Sequence, residues 1–216
     1  MSNLQGGIGM VTVRLAHCLH HAESLRSGRK SRLQAEVYAS LMQSLFPDEI
    51  SILIKRRLLG SFKLDVGLIH SIDFDSTRRL FLSLLAPVVT SVMKTIFNGW
   101  ATSHRLHEDE RLPCLFGCQA RGDSTSHYLE CGRLWRVVAR AFKTPFVHRA
   151  VICRLCLSHP SRTDALQLAV AFRVYHDVKL ARRDEFLSLI HQHNIPTLAL
   201  LSKEIAVGAY KIVAAL

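Results

Sequence analysis

Hydrophobic side chains along the chain recur mainly at helical spacing. Between residues 31 and 46 they fall at every fourth position, which places them on one face of a helix: Leu33, Val37, Leu41 and Leu45. Sustained alternation of polar and apolar residues, which is typical of a half-buried strand, is absent, as is an Asn-Gly hairpin signal. The pattern therefore predicts an all-α fold.

Proline, glycine and capping residues divide this pattern into further predicted helices. Pro47 ends the first helix, and Asp48 can cap a second helix that runs to Leu59 before Gly60. A long helix is expected from a cap at Asp75 or Ser76 to about Trp100, with a kink at Pro87. The remaining helices are predicted over residues 131–142, over residues 161–193 and from Pro196 onward.

The longest uncharged apolar run, Leu80 to Met93, is too short to cross a membrane. A spanning helix needs roughly 20 apolar residues, and Lys94 interrupts this run after 14 residues. We therefore interpret it as a buried helix of the core and expect no membrane partner.

Length and composition favour a folded protein with a substantial core. The 216 residues are 49% hydrophobic, enough for one large domain or two small ones. Together with the helical pattern and the cysteine spacing described below, they predict four regions: a partly disordered segment (1–30), a helical region (31–112), a zinc knuckle with its following helix (113–143) and a C-terminal helical region (144–216). The expected architecture is a helical domain with an inserted zinc knuckle.

The charge of the chain points to anionic partners. A net charge of +11 and a pI near 9.8 are typical of a protein that attracts nucleic acid or anionic membrane. The first ten residues lack a basic start and an apolar run, so they do not form a secretory signal. We therefore expect an intracellular protein, with the nucleus as one candidate compartment, where closely spaced cysteines serve as metal ligands rather than disulfides.

One cluster of cysteines has the spacing of a metal site. The pattern is Cys114-x3-Cys118-x8-His127-x3-Cys131. Gly117 provides the backbone freedom that a tight turn between the first two cysteines requires, and His127 and Cys131 lie one helical turn apart. Four thiolate and imidazole ligands fill a tetrahedral shell, which predicts a structural zinc ion rather than a catalytic one.

A second pair of cysteines is a candidate for another metal site. Cys153 and Cys156 have the spacing Cys-x2-Cys, with His148 and His159 nearby. The segment around them is strongly apolar, and free cysteines are commonly buried. Burial in the core is therefore the favoured interpretation.

Basic residues are densest near the predicted zinc ion. Residues 113–160 contain seven lysines and arginines against two acids. If residues 127–143 are roughly one helix, four of the basic side chains share one narrow arc, opposite Cys131 and the apolar residues: Arg133, Arg136, Arg140 and Lys143. This basic stripe has the layout of a phosphate-contacting element, and a solvated helix face is the alternative interpretation.

Residues 97–135 carry a longer motif around the same cysteines. Trp100 and Arg105 form a Trp-x4-Arg element ahead of the Cys-Cys-His-Cys cluster, and the bulky Trp135 follows it. This region resembles the zinc knuckle that follows the thumb of non-LTR retrotransposon reverse transcriptases. The resemblance covers 39 of 216 residues. It implies a C-terminal fragment of such a protein, in contact with nucleic acid and with zinc as a structural ion.

The catalytic motifs of that family are missing from the chain. No Tyr-x-Asp-Asp polymerase motif occurs, and Pro47-Asp48 and Asp177-x-Lys179 lie far apart and in the wrong order for its endonuclease. We therefore expect a nucleic-acid-binding protein without catalytic activity. A helical protein-interaction module, in which zinc only staples a loop, is the alternative, and a residual nuclease is a third. The sequence does not distinguish DNA from RNA.

Overall fold

The computed structural model describes residues 48–118 and 122–215, which belong to one compact unit. The predicted helix over residues 31–46 and the N-terminal segment 1–30 lie outside this part. In the described residues the fold is all-α and no strand occurs. The helices are α1 Asp48–Gly60, α2 Val66–His70, α3 Phe74–Leu82, α4 Ala86–Ile96, α5 Ser103–Leu106, α6 Thr125–Glu130, α7 Gly132–Ala141, α8 Val151–Arg154, α9 Arg162–Ala181, α10 Arg183–His191 and α11 Ile195–Ala214.

Helix α9 is the centre of this unit. It packs against α4, α7 and α11 and also contacts α8 and α10. Its apolar residues are not confined to one stripe, because a helix with neighbours on several sides must bury several faces. Leu168, Val170, Val174 and Val178 are all fully buried along its length. The hydrophobic core therefore lies around α9.

Capping side chains fix where several helices begin. The Ser161 hydroxyl accepts a hydrogen bond from the Asp164 amide at the start of α9. The Asn194 side chain does the same for α11, whose first turn holds Pro196 as predicted. A cap of this kind stabilises a helix by about 1 kcal/mol. Most of the predicted helix starts rest on capping residues of this kind.

The predicted helix from residue 75 to 100 was wrong in its length. The structure breaks it between Leu82 and Ala86, and Pro87 lies in the first turn of α4 rather than at a kink. A proline lacks the backbone N–H that donates a hydrogen bond in a helix interior. In the first turn this N–H would have no acceptor within the helix, so proline is tolerated there. The cap of α3 is Asp73, which accepts from the Ser76 amide, and not Asp75 or Ser76.

The predicted helix from residue 161 to 193 is also divided. α9 ends at Ala181, and α10 begins at Arg183 after the non-helical backbone of Arg182. Asp184 and Glu185 in the first turn of α10 suit the positive end of its helix dipole. The helices predicted at residues 48–59 and 131–142 match α1 and α7 to within one residue at each end.

The apolar run from Leu80 to Met93 is divided between α3 and α4, with Phe81, Val88, Val89 and Val92 buried. Among the described helices, none has the length and apolar character needed to cross a membrane.

Truncating Leu168 to alanine should destabilise the unit strongly. The side chain is fully buried in α9, and a cavity of this kind costs about 2–5 kcal/mol of unfolding free energy. The matched control on the same helix is Leu180→Ala, since Leu180 is 76% exposed. Its effect should be within about 0.5 kcal/mol of zero. Equal losses for both variants in chemical denaturation would contradict the central position of α9.

Candidate metal centre and basic stripe

The four predicted ligands converge on one point. Their sulfur and nitrogen atoms all lie within 4.8 Å of one another, and the sulfurs of Cys114 and Cys131 are 3.8 Å apart. Two sulfurs held at about 2.3 Å by one tetrahedral ion lie about 3.8 Å apart. Cys114, His127 and Cys131 are buried, and Cys118 is half-buried. This metal cluster can therefore hold an ion without rearrangement of the backbone.

A tight turn brings Cys114 and Cys118 together. The Gly117 amide donates to the Cys114 carbonyl at 2.9 Å, and Gly117 has a positive φ of 72°. A Cβ atom at Gly117 would lie 2.7 Å from the Leu198 side chain of α11. Glycine is required here both by the backbone conformation and by the close approach of α11.

The other two ligands lie at the junction of two helices. The Ser124 hydroxyl caps α6 by accepting from the His127 amide at 3.3 Å. Cys131 has extended backbone angles, φ −64° and ψ 100°, between α6 and α7. The assumption of one helix over residues 127–143 was therefore wrong. The break lets Cys131 precede α7 as its N-terminal flanking residue while its sulfur stays beside His127 and Cys114.

One atom of the cluster has no hydrogen-bond partner among the described residues. Nε2 of His127 is buried and makes no hydrogen bond within the described part of the chain. A buried polar atom without a partner costs free energy, and a metal ion would supply the missing interaction. The donor set and this atom together fit a bound metal ion.

The pKa values of the two buried thiols, Cys114 and Cys131, are shifted in opposite directions. The hydrogen bond from Cys114 and the nearness of His127 lower the pKa of Cys131. The same hydrogen bond, together with burial, raises the pKa of Cys114. A bound cation would release the remaining proton, because thiolates rather than thiols ligate metal ions.

Arg154 is a buried cation beside this cluster. Its guanidinium donates to the Leu129 carbonyl and lies 4.3 Å from the ring centroid of Trp135. Burial lowers its pKa to about 10, while the negative charge of Cys131 opposes that shift. The negative charges of Glu130 and Asp164 also oppose that shift. With a divalent ion bound, three thiolates and a neutral imidazole would carry one net negative charge, which the positive charge of Arg154 would help to offset.

A buried carboxylate joins the cluster to the helical body. Asp123 is 2% exposed and accepts hydrogen bonds from the Ser103 amide at 2.7 Å and the Tyr128 hydroxyl at 2.8 Å. The Tyr175 hydroxyl of α9 lies 3.0 Å from the same carboxylate. Burial raises the pKa of both tyrosines. Both hydroxyls therefore stay protonated and able to donate.

Lys179 completes this buried network. Its ammonium lies 2.9 Å from Glu108 and 3.5 Å from Asp123, so α9 holds the segment before the cysteines and the segment between them. The sequence analysis considered Lys179 only as part of Asp177-x-Lys179 and did not connect it with Asp123. Spacing cannot reveal a network whose members are separated by up to 71 residues.

Trp100, which carries the family resemblance, belongs to the same core. It is fully buried, stacks on Tyr128 with ring centroids 5.7 Å apart and lies 4.9 Å from Tyr175. Its ring nitrogen donates to the Thr95 hydroxyl. Arg105, the second member of the Trp-x4-Arg element, is exposed. Trp100 therefore has a packing role beside the metal cluster.

The other histidines and cysteines do not form a second cluster within the described residues. Cys156 is fully buried, and burial raises its pKa to about 12, whereas Cys153 is half-buried. His104 and His107 are exposed. The interpretation of Cys156 as a core residue therefore agrees with its position.

The basic stripe follows the less buried side of α7. Arg136, Arg140 and Lys143 are exposed, and Arg133 is half-buried near Gly117. Lys143 lies beyond the end of α7 with a positive φ of 53°. Trp135 and Val138 are buried, as the pattern predicts, whereas Phe142, which was expected on the same side, is half-buried. The other buried residues of the helix are Leu134, Val137, Ala139 and Ala141.

Comparisons with known protein families, with curated proteins and with solved structures found no match to this chain.

Replacing Arg154 with methionine should weaken binding of a divalent metal by about 10- to 100-fold, the range typical of groups that support metal ligands. Methionine keeps much of the packing but removes the charge, and Arg154→Lys should recover part of the affinity. Competition between the protein and a chromophoric chelator for Co²⁺ measures the change.

The control for this experiment is Arg149→Met, which breaks an ion pair with the buried Asp164. This variant should be less stable and yet bind Co²⁺ as tightly as the wild type. Equal affinity of the wild type and Arg154→Met would contradict the role assigned to Arg154.

Proposed function

We propose that this chain is a zinc-stabilised nucleic-acid-binding protein without catalytic activity. The observation that carries the proposal is the position of the basic stripe. Its three arginines lie on the helix that begins immediately after Cys131, so a metal ion bound at the cluster would fix the start of the element that presents them.

Zinc is the ion that best suits the cluster. Three thiolates and one imidazole are soft to borderline ligands, which select zinc over magnesium or calcium. Four protein ligands leave no open position for water in a tetrahedral shell. The ion is therefore proposed to stabilise the fold rather than to activate a substrate.

The charge around the stripe supports contact with phosphates. No aspartate or glutamate occurs between Glu130 and Asp164, whereas seven lysines and arginines do. Arg136, Arg140 and Lys143 are exposed there, and arginine and lysine side chains are the main source of affinity for a phosphate backbone. The stretch of chain that carries the stripe therefore has a strong excess of positive charge.

The family resemblance supports the same partner. Residues 97–135 keep the Trp-x4-Arg element, the four ligands and Trp135 in the order of the retrotransposon knuckle. We propose that the chain derives from such an element and retains its knuckle. Asp48 and Asp177, the acidic residues considered for nuclease activity, lie in separate helices, and Asp177 is paired with Arg173 of the same helix.

Apolar surface at the start of the described unit favours the alternative function, a helical protein-interaction module. Ile52 and Leu53 of α1 and Val66 of α2 are about half exposed. Exposed apolar patches mark interaction surfaces when they are contiguous. In this alternative zinc has only a structural role, and nucleic acid binds weakly.

Serine in place of Cys114 or Cys131 should abolish stoichiometric zinc binding. Wild-type protein should contain about one zinc per chain, and its thermal unfolding transition should shift to lower temperature after chelation, because metal binding energy contributes to folding. Cys153→Ser is the matched control and should keep its zinc. An unfolding curve that is unchanged by chelation would contradict a structural metal.

Replacing Arg136 and Arg140 with glutamine should weaken binding to nucleic acids of any sequence about equally. Each lost phosphate contact should lower the slope of log affinity against log salt by roughly 0.9 for duplex DNA or roughly 0.7 for a single strand. Base preference should hardly change, since phosphate contacts carry no sequence information. Fluorescence anisotropy over a salt series with labelled oligonucleotides measures both effects.

The matched control replaces Arg182 and Arg183, which lie at the junction of α9 and α10. Both are exposed, and they pair with the acidic side chains of Glu185 and Asp184, respectively. This pair should leave the salt slope unchanged. Equal effects of the two double variants would reduce the stripe to a solvated surface and favour the protein-interaction alternative.

A further inference from the structure

A cleft opens beside the basic stripe, between α7, the segment 144–149 and the start of α9. Its volume is about 290 Å³, near the lower limit of roughly 300–1,000 Å³ for small-molecule sites. Trp135, Pro145 and Phe146 provide apolar and aromatic walls, and Thr163 and Gln167 provide polar groups. The cleft therefore suits a flat group with a polar edge.

The basic stripe and this cleft share one contact. The Arg136 guanidinium lies 5.5 Å from the ring centroid of Phe146. A ligand whose phosphates lie along Arg136, Arg140 and Lys143 therefore passes the aromatic wall of the cleft. The cleft also contains one carboxylate, Asp164, but its negative charge is offset by the ion pair with Arg149, so it does not repel a polyanion strongly.

The polar groups of the cleft match the edge of a nucleobase. Gln167 is half-buried, and its amide offers both a donor and an acceptor, which is the combination that pairs with base edges. The Thr163 hydroxyl lies on the same helix one turn earlier and adds a second donor and acceptor. Aromatic walls with a few polar groups are also the usual form of a site for an unstacked base.

We propose that this cleft binds one unpaired base of a single-stranded nucleic acid whose flanking phosphates contact the basic stripe. The inference rests on the proposed nucleic-acid function and narrows it to single strands. In a duplex each base is stacked and paired, so it reaches such a cleft only after extrusion, which costs a few kcal/mol. Single strands present their bases without that cost.

The test compares Phe146→Leu with the wild type on a single-stranded oligonucleotide and on a duplex of the same sequence. Stacking on one aromatic side chain contributes about 1–3 kcal/mol per base, so single-strand affinity should fall about 5- to 150-fold. Duplex affinity should change less than twofold. Phe146→Trp should keep the single-strand affinity, because the stacking surface remains.

The control is Phe97→Leu, which removes an exposed phenylalanine that does not line the cleft. It should bind both ligands as the wild type does. Gln167→Ala is a second probe that leaves Phe146 in place; it should lower single-strand affinity selectively, which keeps the proposal testable if Phe146→Leu fails to fold.

Two different failures can be told apart. If the Arg136 and Arg140 substitutions weaken binding but Phe146→Leu and Gln167→Ala do not, the base site is wrong and the phosphate-binding function stands. Equal losses on the single strand and the duplex would also overturn the base site. If the wild type binds neither ligand, the proposed function itself fails.

Discussion

The convergence of three cysteines and one histidine on a single point is the constraint on which this structure depends. Polar atoms without partners are costly to bury. His127 has one such atom, Nε2, and the sulfurs of Cys114 and Cys131 lie 3.8 Å apart. A bound ion would satisfy all these atoms at once, and it would fix the junction between α6 and α7.

The buried network around Asp123 transmits this constraint to the helical body. Tyr128 follows the ligand His127 directly; its hydroxyl accepts from the Leu115 amide and donates to Asp123. Tyr175 and Lys179 reach the same carboxylate from α9. Because breaking a buried ion pair typically costs about 3–5 kcal/mol, the orientation of the cluster relative to α9 is strongly determined. The metal cluster and the network around Asp123 therefore both restrict the position of α7, which carries the arginines of the basic stripe.

Local signals in the sequence predicted the all-α class, the convergence of three cysteines and His127, and the position of Pro196 in the first turn of α11. They succeeded because ligand spacing and helix caps involve residues that are close along the chain. The break at Arg182 carries no proline or glycine, and the buried pairing of Asp123 with Lys179 joins distant segments. Tertiary packing decides both features, so hydrophobic periodicity could not reveal them. Hydrophobic periodicity also could not show whether Pro87 begins a new helix or kinks a longer one.

The functional account depends first on the identity and coordination of the bound ion. X-ray absorption at the zinc edge of the purified protein measures both directly. The account predicts three sulfur neighbours at about 2.3 Å and one nitrogen neighbour at about 2.0–2.1 Å, with no water in the shell. A protein without zinc, or a zinc ion surrounded mainly by oxygen, would contradict the closed cluster of Cys114, Cys118, His127 and Cys131.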